Sequence, residues 1–262
     1  LLYAATGNMY TEPDQKTGDA VLAFRLATGE LVWSAQLTPN DVFVMGCNQP
    51  NAPNCGDDVG PDFDFGNAPM LVSLSGGRDM IVIGQKSGVG YALDPERKGA
   101  VLWQYRAGDG SPLGGMEFGS AADGQHVYFP VADGNGPHAG ELHAVRLASG
   151  ERAWFTPPPA LACGARGRGC TPAILAAISV MPGAVFAGAQ DGGLRAYSTA
   201  DGRVLWEYNT NRDFTTVNGV PAKGASMSGG GPIIGGGLVL VGSGYGSLGG
   251  RAGNVLLAFG PE

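Results

Sequence analysis

Ala23-Phe-Arg-Leu-Ala-Thr-Gly-Glu-Leu-Val-Trp33 returns three times along the chain. Its counterparts are Tyr91-Ala-Leu-Asp-Pro-Glu-Arg-Lys-Gly-Ala-Val-Leu-Trp103, Ala144-Val-Arg-Leu-Ala-Ser-Gly-Glu-Arg-Ala-Trp154 and Ala196-Tyr-Ser-Thr-Ala-Asp-Gly-Arg-Val-Leu-Trp206. All four tryptophans of the protein fall at the same place in this unit, and a fifth start, Asn254-Val-Leu-Leu-Ala-Phe259, runs to the C-terminus. The unit reads as a strand, a tight turn and a second strand carrying a Trp. Thr28-Gly29, Ser149-Gly150 and Asp201-Gly202 supply the left-handed position of the turn. Each Trp gives its unit one large flat group to bury against a neighbour. Upstream lie further strand candidates at Met80–Gly84, Gln125–Phe129, Ala184–Gly188 and Leu238–Gly242, so each unit is expected to be a meander of about four strands.

The tryptophans are spaced by 70, 51 and 52 residues, and the long first interval holds a Cys-bounded insert at about residues 40–60. Repeats of roughly fifty residues with four strands are the blades of a β-propeller. A β-sandwich, the runner-up, has no reason to repeat Trp at near-constant spacing. The expected fold class is therefore all-β, a propeller of four-stranded blades in one domain spanning residues 1–262, with four blades and a partial fifth. Propellers have four to eight blades, which leaves a closed ring of about five or an arc of a larger ring. Leu1-Leu2-Tyr3-Ala4-Ala5 already reads as a strand, which favours the arc and a missing N-terminal part of the ring.

Composition agrees. Gly accounts for 46 of 262 residues and charged residues for only 15 %, which excludes a coiled coil or helix bundle, while 44 % apolar residues suffice for a core. The net charge of −7 and scattered Lys and Arg exclude a nucleic-acid surface; Arg166 and Arg168 make at most a local patch. No apolar run is long enough to span a membrane, and the longest, Ile174–Val180, is of strand length. Cysteines occur as two close pairs in Gly- and Pro-rich loops, Cys47 with Cys55 and Cys163 with Cys170, without zinc or haem-attachment spacing. Two loop disulfides are expected, and with them an oxidising compartment, periplasmic or secreted.

No nucleophile motif is present, and His126, His138 and His143 read as structural or solvated. Three elements carry chemistry. Within Gly60-Pro-Asp62-Phe-Asp64-Phe-Gly-Asn67-Ala-Pro69, two carboxylates two apart on an extended backbone point the same way, with the intervening Phe face buried. Carboxylates that close repel unless a cation lies between them or one takes a proton. The plainer alternative is that both cap turn amides. Lys86, in Gly84-Gln-Lys-Ser-Gly88, sits at a strand-to-strand turn and otherwise reads as a solvated lysine. Asn8, in Ala5-Thr-Gly-Asn8, offers a carbonyl oxygen to a hard cation, or is an ordinary Gly-Asn turn.

In order, Ala5-Thr-Gly-Asn8, Thr38-Pro-Asn-Asp41, Asp62-Phe-Asp64 before Asn67-Ala-Pro69, and Gln85-Lys86-Ser-Gly88 before Tyr91-Ala-Leu-Asp94 resemble the pyrroloquinoline-quinone (PQQ) dependent alcohol dehydrogenases. The tail Gly229-Gly-Gly-Pro232, Gly242-Ser-Gly-Tyr245 and Asn254–Phe259 is similar to their polyvinyl-alcohol dehydrogenase branch. The resemblance covers essentially the whole chain and implies an eight-bladed ring. It also implies PQQ with calcium, or a lanthanide in its place, an alcohol substrate, secondary or polymeric, and a cytochrome c-type electron acceptor. Asn8 matches the calcium-ligand Asn, Asp62 the general base on the substrate hydroxyl, Asp64 a second metal-side position held by Asp in lanthanide-type members and by other residues elsewhere, and Lys86 the Lys or Arg that hydrogen-bonds the quinone oxygens. The family's aromatic-Asp pair follows its Thr-Pro-x-Asp closely; here an insertion from about Val44 to Pro61 displaces the Asp to position 62. The family's other metal carboxylate, its adjacent-cysteine pair and the Trp beneath the quinone have no counterpart in these residues, so a complementary segment completing the ring is expected. A non-catalytic propeller scaffold and a closed five-bladed sugar-binding or hydrolytic propeller are the competing readings. A scaffold has no use for Asn8, Asp62, Asp64 and Lys86 together.

Overall fold

A computed structural model describes residues 1–261 except 48, 50–54, 56–58, 135 and 166. Arg166 and much of the Cys-bounded insert thus lie outside the described residues. The described chain is all-β apart from one 3-10 turn, Pro95–Arg97. Its strands form successive antiparallel sheets in chain order. The first contains β1 (Leu2–Ala5), β2 (Ala20–Phe24) and β3 (Leu31–Gln36). The second contains β4 (Met70–Ser73), β5 (Asp79–Gly84), β6 (Val89–Asp94) and β7 (Ala100–Arg106). The third contains β8 (Ala121–Ala122), β9 (His126–Pro130), β10 (Leu142–Arg146) and β11 (Arg152–Thr156). The fourth contains β12 (Ser179–Met181), β13 (Ala184–Gly188), β14 (Gly193–Ser198) and β15 (Val204–Asn209). A hairpin of β16 (Asp213–Thr215) and β17 (Pro221–Lys223) precedes a last sheet of β18 (Ile233–Gly235), β19 (Leu238–Ser243) and β20 (Val255–Phe259). Four strands per unit therefore holds for the middle three sheets, while the first and last have three.

The repeated Trp occupies equivalent positions. Trp33, Trp103, Trp154 and Trp206 pair across the ladder with Ala23, Ala92, Ala144 and Ala196, and in each case a bulge follows at once. Each of the first three then packs under the turn glycine of the following sheet. A Cβ on Gly150 would come within 2.7 Å of Trp103, and one on Gly202 within 2.5 Å of Trp154. Both glycines also have left-handed φ, 74° and 76°, so any other residue there meets both backbone strain and an aromatic ring. The indole N–H groups of Trp103 and Trp154 donate to the carbonyls of Leu147 (2.8 Å) and Thr199 (3.0 Å), in the next sheet's turn. In the second sheet the 3-10 turn Pro95–Arg97 takes that place, and the buried indole N–H of Trp33 has no partner among the described residues.

Between sheets the core is Val, Ile, Leu, Met and Ala from facing strands. Met80, Val82, Val127, Phe129 and Val145 join the second and third sheets, and Tyr128, Leu142, Val185 and Tyr197 join the third and fourth. Ile174–Val180 is not a strand over most of its length: β12 begins only at Ser179. Residues 173–178 are nonetheless almost all buried, and their amides bond outward to neighbouring loops, Ile174 to Val131, Ala177 to Gly229 and Ile178 to Gly119. An apolar run specifies burial, and here the hydrogen bonds are supplied by crossing loops instead of a ladder. Both disulfides form as paired, Cys47–Cys55 and Cys163–Cys170, with Cα separations of 5.5 and 6.0 Å. Among the described residues no helix is long and apolar enough to cross a membrane.

Candidate active site

Four chain segments converge at one end of the first two sheets: the exit of β1, the segment leading into β4, the β5–β6 turn and the segment leading into β8. The organising group is Asp41, which is 1 % exposed. Its carboxylate accepts the amides of Phe43 (3.3 Å), Asp62 (3.2 Å) and Phe63 (2.7 Å), and so folds the distal end of the insert back onto its start. Gly60 passes directly over it; a Cβ there would lie 2.7 Å from the Asp41 Cα.

This clamp corrects the expected geometry of the carboxylate pair. Asp62 has φ of +61° and lies outside any strand, so strand alternation does not aim the two aspartates. They converge because the chain is pinned in a left-handed turn at Asp62 and runs on to Phe65. Phe65 is buried against Tyr91 with ring centroids 6.2 Å apart, whereas Phe63, between the two aspartates and expected on the same buried face, is only half-buried. The amide-capping role considered for the pair falls mainly to Asp41, while Asp64 caps one amide, that of Asn8.

Lys86 lies between the two carboxylates. Its Nζ is 2.6 Å from Asp64 Oδ2 and 3.3 Å from Asp62 Oδ2, and its side chain is 12 % exposed. It is therefore no solvated turn lysine. The turn that presents it is fixed from several sides: Lys86 N–H donates to the Asp64 carbonyl (3.1 Å), Ser111 N–H donates to the Lys86 carbonyl (3.2 Å), and Met116 N–H to the Gln85 carbonyl (3.0 Å). The fully buried Gln85 donates to Thr38 Oγ1 (2.9 Å) and accepts from Ser87 Oγ (2.7 Å). Thr38, from the Thr-Pro-Asn-Asp segment, thus ties the lysine turn to the clamp.

Asn8 meets the same group through its backbone, its N–H donating to Asp64 Oδ1 at 2.7 Å. Its side-chain amide nitrogen is committed to the carbonyls of Met9 and Phe43, both at 2.7 Å. Asn8, Asp62, Asp64 and Lys86 are all brought together.

Sequence reading missed Glu117. It is 3 % exposed, and its Oε1 has no hydrogen-bond partner among the described residues. Asn67 donates to the carbonyls of Gly84 (2.9 Å), Glu117 (3.2 Å) and Met116 (3.4 Å), and so holds the Glu117 backbone against the β5 end. The available signal was a lone carboxylate in Gly114-Gly-Met-Glu-Phe-Gly119. The electrostatics follow from burial. Burial first, and then the Asp64 and Asp62 charges, raise the Glu117 pKa to about 7 against the pull of Lys86. Burial and Asp64 raise that of Asp62 to about 6, again with Lys86 opposing. Burial works against the Lys86 charge, but its hydrogen bond to Asp64 and the charges of Asp64, Glu117 and Asp62 outweigh it, and its pKa rises. One cation thus serves three carboxyl groups, two of which take up protons near neutrality.

A pocket of about 500 Å³ is lined by Tyr3, Ala5, Phe65, Gly66, Asn67 and Phe118, and none of Asn8, Asp62, Asp64, Lys86 and Glu117 lines it. A larger apolar pocket of about 700 Å³, around Trp206, Tyr208 and Phe259, lies at the last sheet and includes none of these residues. Among the described residues no set of three or more His, Cys, Asp or Glu side chains is arranged to hold a metal ion unaided. The histidines stand elsewhere: His143, 4 % exposed, links Tyr105 Oη (2.8 Å) to Glu141 Oε2 (2.9 Å) as a structural network.

Comparison with known proteins agrees with the resemblance read from the motifs. A polyvinylalcohol dehydrogenase from a Pseudomonas species is 46 % identical over 270 residues, and one from Sphingopyxis sp. (strain 113P3) is 41 % identical over 276. Each match covers 99 % of this chain, and the chain spans 42 % of each relative's length. The crystal structure of a quinohemoprotein alcohol dehydrogenase from Comamonas testosteroni matches with a TM-score of 0.54 and 17 % identity, over 93 % of this chain and 43 % of that one, which shows a shared fold of the β-propeller type. A family model described as outer membrane protein assembly factor BamB (PQQ_2) matches residues 3–254, and the chain belongs to that family.

Proposed function

We propose that this chain is the base-bearing part of a PQQ-dependent alcohol dehydrogenase acting on secondary or polymeric alcohols such as polyvinyl alcohol. It forms one domain, an arc of an eight-bladed ring, in a periplasmic or secreted enzyme that passes electrons to a cytochrome c-type acceptor. The observation that carries the reading is the half-buried pair of aspartates around a nearly buried lysine, with Asn8 alongside. Identity to the two polyvinylalcohol dehydrogenases over 99 % of the chain supports the substrate class.

The donor set suits a ligand that brings its own oxygens. Asn8, Asp62 and Asp64 offer hard oxygen donors, fewer than the six to eight that calcium takes. Lys86 offers a positive charge to a polar acceptor, and Glu117 Oε1 is a buried oxygen with no hydrogen-bond partner among the described residues. PQQ with calcium or a lanthanide, when bound, supplies the two-electron acceptor and its Lewis acid. Asn8, Asp62 and Asp64 would hold the metal and Lys86 the quinone side.

The chain's own contribution is proton handling and charge. Asp62 takes the hydroxyl proton of the alcohol, and a base with a pKa of about 6 is ionised at neutral pH yet close enough to it to exchange protons readily. Lys86 stabilises negative charge that develops on an oxygen beside it. Asp41 keeps the Asp62 backbone in place. In a dehydrogenase of the relatives' full length carrying this chain, Asp62→Asn should lower alcohol oxidation by roughly 10²–10⁴-fold with an unchanged melting profile. Near-normal turnover would assign the base elsewhere. The second reading, a non-catalytic assembly scaffold, is favoured by the description of the family model. On that reading no alcohol-dependent dye reduction occurs at any cofactor or metal concentration.

A further inference from the structure

Beneath the clamp lies a second acid. Asp19 opens β2 with φ of +43°, donates its N–H to the Gly7 carbonyl (2.9 Å) and accepts from Leu37 N–H (2.9 Å) through its own carbonyl. Its side chain is 1 % exposed, and among the described residues neither carboxyl oxygen receives a hydrogen bond from any donor. Its backbone lies close to that of Asp41, since Gly7 accepts the Asp19 N–H and Met9, two residues on, donates to the Asp41 carbonyl at 3.3 Å, and the Asp41 carboxyl group acts on it by charge and by hydrogen bonding.

Two buried carboxylates in contact are unfavourable unless a proton or a cation lies between them. Asp41 already accepts three backbone N–H groups and Asp19 accepts none, so a shared proton belongs on Asp19. The other charged groups acting on Asp19 are Asp64, ahead of β4, and Asp14, ahead of β2, and both are acidic. Asp14 Oδ2 accepts from Gln36 and from the Asn40 amide, each at 2.8 Å, while its Oδ1 has no partner among the described residues. With no lysine or arginine among these neighbours, and with no set of three metal-ligating side chains among the described residues, a proton is the species that balances the pair.

We propose that Asp19 is kept as a neutral carboxylic acid that donates a hydrogen bond to Asp41 and thereby positions the Asp62–Phe63 backbone of the candidate site. It is a positioning residue, acting through Asp41. Its relevance to catalysis rests on the reading of Asp62 given above. Burial, and then the Asp41 charge, raise the Asp19 pKa to about 8, so the hydrogen bond persists at neutral pH and is lost above it.

The test uses Asp19→Asn, which keeps a donor and tolerates a left-handed φ, and Asp19→Gly, which tolerates the same φ but has no donor. Infrared difference spectra of the whole chain should show a protonated-carboxyl carbonyl band at pH 6 that fades as pH rises through about 8 and is missing from Asp19→Asn. Amide hydrogen exchange at Phe63 should be slow in the wild type and in Asp19→Asn at pH 6, and roughly tenfold faster in Asp19→Gly. Above pH 8 the wild type should approach the Gly variant while Asp19→Asn does not. A spectrum without a band that depends on Asp19 overturns the proposal. So does a calcium-induced rise in melting temperature that Asp19→Asn abolishes, since a cation would then bridge the pair. Neither readout uses alcohol oxidation, so they stand or fall separately from the role of Asp62.

Discussion

Replacing Lys86 by Met removes the one cation from the site while keeping its apolar stem. Lys86, Asp62 and Asp64 are 12 %, 13 % and 24 % exposed, close to the buried limit, where breaking a pair by removing one partner costs on the order of 3 kcal/mol. A cost of that size lowers the melting temperature of a chain this long by roughly 6–12 °C. The deficit should also depend on pH in a definite sense. Asp62 is already raised to about 6 with Lys86 pulling the other way, so in the variant it rises further. A carboxyl group with a raised folded pKa binds more protons folded than unfolded between its two pKa values, and stability then falls as pH rises across that window. The variant should therefore lie close to wild type near pH 4 and reach its full deficit above pH 7. Lys86 itself adds no slope there, because its pKa is raised and its contribution is lost only in strongly alkaline solution. Thermal melts at pH 4, 6 and 8 measure the effect. A deficit below about 0.5 kcal/mol, the scale of an exposed pair, or one equal at pH 4 and 8, would refute the argument that a shielded lysine holds these carboxylates apart.

Glu117→Gln should leave stability unchanged near pH 4 and raise it by about 3 kcal/mol at pH 8, because the variant escapes the cost of ionising a buried acid with a pKa near 7; denaturant melts across that range check it, and a flat difference would contradict it. Gly150→Ala should destabilise by about 2–3 kcal/mol, since φ is +74° and the new methyl would meet Trp103 at 2.7 Å. Gly124→Ala, where a Cβ meets nothing within 4 Å, should stay within about 0.5 kcal/mol and serves as its control in the same melts.

The repeat was legible because it is local. Alanine and Trp lie ten or eleven residues apart and face each other across one turn, so a single stretch of sequence fixes strand, bulge and turn together. The disulfides were legible for the same reason, each closing a short loop. Asp62, Asp64, Lys86 and Asn8 were picked out by residue type, but the reason they meet lies in contacts across long separations. Asp41 holds Phe63 from 22 residues away, and Asn8 reaches Asp64 from 56. No periodicity encodes such contacts. Asp62 showed the limit most clearly: alternation placed it on a strand, whereas a distant carboxylate bends it into a left-handed turn. Ile174–Val180 misled in the opposite sense, since an apolar run announces burial without naming its hydrogen-bond partners. Asp19 and Glu117 carried no signal of their own, because a lone acid becomes informative only once its neighbours are known.

Those two acids complete the charge balance of the site. Asp62, Asp64 and Glu117 act on the ammonium of Lys86, Asp41 and Asp19 follow behind the Asp62 backbone, and three of these five acids have pKa values raised to about 8, 6 and 7. The folded chain therefore meets its surplus of buried negative charge by holding protons, and the protons lie on the acids with the fewest donors. Asp19 receives none and Glu117 leaves an oxygen bare, whereas Asp41 accepts three backbone amides and Asp64 accepts one amide and the ammonium. A cation that enters such a cluster competes with protons for the same oxygens, so its affinity rises with pH and its binding releases protons. The clamp at Asp41 and the turn at Lys86 fix where the charge lies; the proton occupancy of Asp19, Asp62 and Glu117 sets how much of it is available.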